Sequence, residues 1–162
     1  MNALLVIPAR RGSKGIKLKN RADLLGKPLI AYSILAAMRC QERLRHVVVS
    51  TDDKVIQKIA VQYGAEAPFV RPAVLSSDEA SSQDVLIHAV NYYETLESIC
   101  YDWVVLLQCT NPLVDSSDIL GCLDLIGDSR TSRSIDTVIS VVQMPSHLPA
   151  SLFRSTNDNF LE

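Results

Sequence analysis

The chain has 162 residues, 48% hydrophobic and 21% charged, which is enough for one folded domain with a buried core. Its net charge of −2 argues against a general nucleic-acid-binding protein, which usually carries a basic excess. No apolar run reaches the roughly 20 residues that span a bilayer, and no secretory signal is recognisable, so we expect a cytoplasmic protein with no membrane partner.

Cysteine spacing gives no sign of a metal site or a disulfide framework. The four cysteines form no C-x-x-C pair, and no histidine stands near them at metal-ligand spacing. We therefore expect reduced thiols packed as small apolar groups at Cys40, Cys100, Cys109 and Cys122.

Strand and helix patterns alternate along the chain. Short apolar runs predict strands at 3–7, 46–50, 67–71, 103–107 and 137–142. Caps and helix-forming runs predict helices at 28–39, from the 51–53 cap to about 63, from Ser81 or Ser82 to about 96, and from Ser116 to about 127. This alternation predicts an α/β fold with a doubly wound, mostly parallel, Rossmann-like sheet. The strand at 103–107 is continuously apolar, as expected of a strand covered on both faces.

A strongly cationic loop follows the first predicted strand. Residues 7–20 read I-P-A-R-R-G-S-K-G-I-K-L-K-N and hold no acid. Glycines at positive φ can fold such a loop into a concavity of backbone N–H groups, and a polyphosphate fits its charge. The position beyond a strand's carboxyl end favours ligand binding, although a solvated basic loop without a ligand remains the alternative. The spacing is not that of a Walker A loop.

The same run closely resembles the signature of the acylneuraminate cytidylyltransferases, I-P-A-R-x-G-S-K-G-I-x-x-K-N, and matches it at every fixed position. Three further stretches also resemble family motifs: S-T-D-D at 50–53, P-F-V-R-P-A-V-L-S-S-D-E-A-S-S at 68–82, and L-L-Q-C-T-N-P-L at 106–113. The resemblance covers residues 1–142. The chain departs from the pattern at Cys109, where the family has proline, at Asn111, where it has serine, and at Val114, where it usually has arginine.

The resemblance implies a nucleotidyltransferase that activates a sialic-acid-like nine-carbon 2-keto sugar acid, such as a pseudaminic or legionaminic acid, with CTP. Arg10, Lys14 and Lys19 would act on the triphosphate and the leaving pyrophosphate, and Gln108 would read the cytosine. The implied nucleotide-binding residues are Arg10, Gly12, Ser13, Lys14, Lys19, Asn20, Arg71, Ser82 and Gln108.

Several of these positions have simpler explanations. Ser82 could cap a helix instead, unless Ser81 takes the cap, and Arg71 could be a surface arginine before a proline turn. Asp52 could lie near the nucleotide or cap a helix, and we expect His88 to be an ordinary helix-face residue.

The resemblance also implies Mg²⁺ held mainly by aspartates beyond residue 162, a homodimer, and an acceptor site that lies mostly outside this chain. Residues 1–142 would form the CTP-binding domain, and 143–162 the start of a dimerisation segment. The alternatives are a non-catalytic or decayed CTP-binding module and, less favoured, a related enzyme for another sugar acid such as Kdo.

Overall fold

The structure is a computed structural model that describes residues 2–13, 15–127 and 136–140. Short 3₁₀ turns connect its longer elements at Lys19–Arg21, Gln41–Arg43 and Ala73–Ser76. The strands and α-helices are, in chain order, β1 (Ala3–Pro8), β2 (Asp23–Leu24), β3 (Lys27–Pro28), α1 (Leu29–Met38), β4 (His46–Ser50), α2 (Lys54–Gln62), α3 (Ser82–Glu97), β5 (Trp103–Leu106) and α4 (Ser116–Gly127).

The central sheet is parallel, with the strand order β4-β1-β5. Leu5 of β1 is paired with Val47 of β4 on one side and with Val105 of β5 on the other. Parallel strands end at the same edge of a sheet. The segments that follow β1, β4 and β5 therefore meet at one place.

Strand β1 is buried because helices cover both of its faces. Leu5 and Ile7 point to one side, where they join the core formed with α1, α2 and α4. Leu4 and Val6 point to the other side and pack with residues of α3 that include Tyr93. This two-sided packing of a parallel sheet confirms the predicted doubly wound α/β class.

The helices lie where the sequence predicts them, with small shifts at their ends. Helix α1 is largely buried, as expected from its apolar run. Helix α2 begins after Asp53, whose side chain accepts a hydrogen bond of 2.8 Å from the backbone N–H of Val55. It is followed by Gly64 at φ 96°, a left-handed conformation that glycine adopts without steric cost.

The predicted strand at 67–71 is wrong. The backbone pairing here is one isolated bridge between Glu66 and Val48, after which the chain leaves the sheet. Pro68 lies within the segment and Pro72 follows it, and both lack the N–H group that a strand ladder needs. Arg71 is nevertheless anchored, because its backbone N–H donates to the carbonyl of Thr51 at 2.8 Å.

Two other strand predictions also need correction. Residues 137–140 form no strand, and the last two residues of the predicted segment, 141–142, lie outside the described residues. Strand β5 is less covered than its apolar sequence suggests, since Val104 and Leu106 are 37% and 38% exposed. In the described sheet β5 is an edge strand that pairs with β1 alone. The described residues also leave the side chains of Val104 and Leu106 partly uncovered.

Within the described ranges no helix is long and apolar enough to cross a membrane.

A network of polar side chains lies at the end of the sheet where β4 begins. There the two ring nitrogens of His46 each lie 2.7 Å from a carboxylate oxygen, one of Glu66 and one of Glu97. Tyr93 also donates to Glu66 at 2.7 Å, so this network ties the start of β4 to α3.

We predict that Asp53→Ala lowers the free energy of unfolding by about 1–2 kcal/mol, because it removes the N-cap of α2. Urea denaturation would measure the change. Asp124→Ala is the matched control: it removes an exposed partner of Arg43 and should cost about 0–1 kcal/mol. Equal losses in the two variants would contradict the capping role.

Candidate functional site

A cavity of about 400 Å³ opens at the carboxyl ends of the parallel strands. Its walls come from the loop after β1, from the segment between Arg71 and Val85, and from residues 108–110 after β5. Its volume is in the range of small-molecule binding sites, and this edge of an open parallel sheet is where such ligands bind.

The cavity brings together residues that the sequence predicts from separate motifs. Lys14 lies outside the described residues, so the structure gives no position for it. The other predicted nucleotide-binding residues all line this one cavity: Arg10, Gly12, Ser13, Lys19, Asn20, Arg71, Ser82 and Gln108.

Arg71 is a buried cation whose hydrogen bonds are incomplete. The residue is 4% exposed, so the surface-arginine alternative is wrong. Its Nε donates to the hydroxyl of Ser76 at 3.2 Å. Its buried Nη2 has no hydrogen-bond partner within the part of the chain that the structure describes and lies 4.0 Å from a carboxylate oxygen of Asp52. Burial lowers the pKa of Arg71, and the nearby Asp52 opposes that shift. An arginine stays charged nonetheless, so the cavity contains an incompletely satisfied positive group.

Arg10 carries a more accessible charge and has a carboxylate partner. Its Nη1 lies 2.5 Å from Oδ1 of Asp78, with side chains that are 31% and 49% exposed. Ion pairs with this much exposure contribute little net free energy, because water stabilises the separated charges nearly as well. An anion that enters the cavity could therefore replace Asp78 at Arg10 with little loss of stability.

Asp52 holds the cationic loop against the sheet. Its Oδ1 accepts a hydrogen bond of 2.7 Å from the backbone N–H of Arg11, which joins the loop after β1 to the end of β4. The capping interpretation of Asp52 is wrong, since the neighbouring Asp53 caps α2. Asp52 instead connects the loop to Arg71.

Asn20 and Cys109 form a second anchor for the loop. Asn20 is 6% exposed, and its side-chain Nδ2 donates to the backbone carbonyl of Arg10 at 2.9 Å. Its Oδ1 accepts a hydrogen bond from the thiol of Cys109, with a Sγ to Oδ1 distance of 3.0 Å. Burial raises the pKa of the Cys109 thiol, which keeps it protonated and able to donate.

The glycines of the loop do not supply the predicted positive φ angles. The left-handed residue is Leu18, at φ 56°, where the chain turns into the 3₁₀ segment. That turn is closed by a hydrogen bond of 3.2 Å from the N–H of Lys19 to the carbonyl of Ile16. A Cβ atom added to Gly12 or Gly15 would meet nothing within 4 Å, so these positions leave room on the cavity side.

The structure separates the roles of the two adjacent serines. Ser81 caps α3, because its Oγ accepts a hydrogen bond of 3.0 Å from the N–H of Asp84. The hydroxyl of Ser82 is not needed for this cap and lines the cavity. Gln108 also lines the cavity and is exposed. The hydroxyl of Thr110 lies 3.5 Å from its amide oxygen Oε1.

The sequence does not reveal the roles of two groups in the cavity. Asp78 lies inside a motif that resembles the family's, but no local pattern pairs it with Arg10, which is distant in sequence. Cys109 departs from the family pattern, but its contact with Asn20 spans 89 residues and no local pattern reveals it.

The described residues do not fit a divalent cation by themselves. They contain no group of three or more His, Cys, Asp or Glu side chains that could hold a metal ion. The two carboxylates nearest the cations are already engaged, Asp78 by Arg10 and Asp52 by the N–H of Arg11.

His88 lies on α3 as expected, with its ring packed edge-on against Phe69 at a centroid distance of 4.7 Å.

An open parallel sheet with helices on both faces and a cationic cavity beyond its strand ends is typical of α/β proteins that bind phosphorylated ligands. Residues 4–154 match the family model described as cytidylyltransferase, and the chain belongs to that family.

Individual relatives agree with this assignment. The chain is 48% identical over 120 residues to pseudaminic acid cytidylyltransferase of Campylobacter jejuni, covering 74% of this chain and 50% of that protein. It is 37% identical over 155 residues to N-acylneuraminate cytidylyltransferase of Escherichia coli, covering 96% of this chain and 34% of that protein. The chain thus spans about half the length, or less, of these two curated relatives.

A solved structure is also similar. It is that of CMP:2-keto-3-deoxy-manno-octonic acid synthetase complexed with CTP, with a TM-score of 0.65 and 26% identity, over 81% of this chain and 49% of that chain. This similarity supports a fold of the nucleotidyltransferase type.

We predict different effects for substitutions of the two serines at the start of α3. Ser81→Ala should lower the free energy of unfolding by about 1 kcal/mol, because the helix loses its cap. Ser82→Ala should leave stability within about 0.5 kcal/mol and weaken CTP binding, since its hydroxyl lines the cavity. Urea denaturation and titration calorimetry would measure the two quantities. A stability loss confined to Ser82→Ala would reverse the assignment.

Proposed function

We propose that this chain supplies the CTP-binding part of a cytidylyltransferase that activates a sialic-acid-like, nine-carbon 2-keto sugar acid. The products are the CMP-sugar and pyrophosphate. The relatives' names support this substrate class, since they specify pseudaminic and N-acylneuraminic acids. The observation that carries the proposal is the single cavity that gathers Arg10, Lys19, Arg71 and Gln108 at the carboxyl edge of the sheet.

The proposed reaction is a displacement at the α-phosphorus of CTP. The anomeric hydroxyl oxygen of the sugar forms a bond to this phosphorus and gives up its proton. The bond from the phosphorus to the oxygen bridging the α- and β-phosphates breaks, and pyrophosphate leaves with the electron pair. Such a reaction depends on positioning the triphosphate and on stabilising the charge that develops on it.

The chain's cations suit that task in different ways. Arg71 is fixed by its hydrogen bond to Ser76 and offers a desolvated guanidinium, which attracts phosphate more strongly than an exposed one would. Arg10 would exchange Asp78 for phosphate oxygens. Lys19 and the backbone at Gly12 and Ser13 would complete the contacts, together with Lys14 of the same loop.

We assign base recognition to Gln108, with Ser82 lining the same cavity. The amide can accept from the exocyclic amine of cytosine and donate to its ring carbonyl or N3, a pattern that uracil does not match. Asn20 contributes chiefly by holding the loop, because its amide is bonded to Arg10 and Cys109.

The proposal includes features that the described residues do not carry themselves. The proposed enzyme uses a divalent cation, Mg²⁺, although the described residues contain no group of side chains that fits one. We also propose that residues 1–142 form the CTP-binding domain of a cytoplasmic homodimer. The enzyme would act in the synthesis of a surface polysaccharide such as lipopolysaccharide or capsule.

The activity itself gives the main test. We expect CTP binding by this chain, and pyrophosphate release from a C-terminally extended version of the length of its curated relatives when it is incubated with CTP, Mg²⁺ and an acylneuraminate-like acid. Little release is expected from the extended version with UTP or without the acid. A coupled phosphate assay over a panel of sugar acids would measure it, with CTP affinity determined in parallel by calorimetry.

The two measurements together separate the alternatives. CTP binding without release for any acid in the panel would favour a non-catalytic CTP-binding module. Absence of CTP binding would contradict the assignment of the cavity.

We predict that Gln108→Ala narrows the preference for CTP over UTP by about tenfold, which corresponds to about 1.4 kcal/mol of lost discrimination. The expected cause is the lost amide contact with the cytosine edge. Competition titration with the two nucleotides would measure it.

Gln62→Ala is the matched control, because this glutamine is exposed at the end of α2 and does not line the cavity. It should leave the preference unchanged. A preference that survives Gln108→Ala intact would rule out Gln108 as the base reader.

A further inference from the structure

A chain of two hydrogen bonds leads from β5 to the cationic loop. The thiol of Cys109 donates to Oδ1 of Asn20 at 3.0 Å, and Nδ2 of Asn20 donates to the carbonyl of Arg10 at 2.9 Å. Cys109 is 3% exposed and Asn20 is 6% exposed, so water competes little for these bonds. The position of the Arg10 backbone therefore depends on a side chain from the segment that follows β5.

The thiol also determines which way the amide of Asn20 points. With the observed orientation, the amide donor faces the Arg10 carbonyl and the amide oxygen faces the thiol. A rotated amide would place its oxygen against the Arg10 carbonyl oxygen, and two acceptors repel each other. A second acceptor for the thiol, the carbonyl of Pro8, is more distant at 3.6 Å. One thiol proton thus favours a single orientation of the amide.

An independent observation favours an anionic ligand for this cavity. Nη2 of Arg71 is buried and has no hydrogen-bond partner among the described residues, and Arg71 lines the cavity together with Cys109 and Asn20. A buried cationic donor with no partner is costly unless a ligand satisfies it. The thiol and its two bonds therefore lie in the wall of a ligand site rather than in a structural core alone.

We propose that Cys109 is a positioning residue for nucleotide binding: acting through Asn20, it holds the Arg10 backbone where the arginine can meet the triphosphate. This inference rests on the proposed CTP-binding function. The role is one of alignment, since the thiol is neutral and need not touch the nucleotide. A hydroxyl at this position could make the same donation, whereas a methyl group could not.

Three variants test the thiol's role. Cys109→Ala should raise the dissociation constant for CTP about tenfold, because the acceptor on Asn20 loses its donor and the loop is less well held. Cys109→Ser should stay within about threefold of the wild type, because its hydroxyl restores the donor. Cys122→Ala, which removes a partly buried thiol on α4 outside this cavity, should leave CTP affinity unchanged.

A double-mutant cycle tests whether Cys109 acts through Asn20. If it does, Cys109→Ala should have no further effect on CTP affinity in an Asn20→Ala background. Multiplicative losses from the two substitutions would show independent action and overturn the inference. Equal affinities of Cys109→Ala and the wild type would overturn it as well.

Hydrogen exchange without nucleotide separates failure of this inference from failure of the proposed function. Faster exchange of amides 9–13 in Cys109→Ala, reversed in Cys109→Ser, would support the alignment role even if the wild type failed to bind CTP. Unchanged exchange in Cys109→Ala would overturn the inference while leaving CTP binding by the wild type as the separate test of function.

Discussion

A positive charge held out of water at the edge of a parallel sheet is the constraint on which the site depends. Arg71 is nearly fully buried, yet its nearest carboxylate oxygen, on Asp52, lies at the outer limit of an ion pair, 4.0 Å away. Removing a charge from water is unfavourable unless hydrogen bonds and opposite charge compensate it. The fold supplies part of that compensation through Ser76 and the carboxylate of Asp52, and the described residues leave one donor unsatisfied. A phosphate group would supply the rest, which makes the unfavourable burial useful for binding.

The cationic loop is held to the sheet by contacts to its backbone, so its side chains are left for other roles. The N–H of Ala9 donates to the carbonyl of Ser50, and the N–H of Arg11 donates to Asp52. The carbonyl of Arg10 accepts from Asn20. These contacts come from the carboxyl end of β4, from the residues just after it, and from the 3₁₀ turn at Lys19–Arg21. Like charges can therefore be brought close together without each requiring a fixed salt bridge, because the backbone bonds oppose their mutual repulsion.

The positions of most strands and helices could be predicted from the sequence, because local chemistry determines them. Apolar runs located β1, β4 and β5, and caps and glycine stops located the helices to within a few residues. The apolar residues of 67–71 predict a strand, but Pro68 within the segment and Pro72 after it prevent a ladder. The contacts that no pattern could give were long-range ones, such as Arg10 with Asp78 and Cys109 with Asn20. The motifs predicted which residues gather at the cavity, but not how those residues are paired.

The two arginines of the cavity differ in how they can respond to an anion. Arg71 is buried and fixed, so salt screens its attraction for a phosphate weakly, and its contribution depends on a ligand that reaches deep into the cavity. Arg10 is half-buried and already paired with Asp78, so it gains only the difference between a carboxylate and a phosphate partner. Since Asp78 repels any anion that does not displace it, a ligand with a single negative group at the cavity mouth gains little. A ligand that reaches Arg71 and also takes Arg10 from Asp78 gains from both, and an extended polyphosphate has that shape. Under the proposed function, the pairing of Arg10 with Asp78 would therefore favour a triphosphate over a smaller anion.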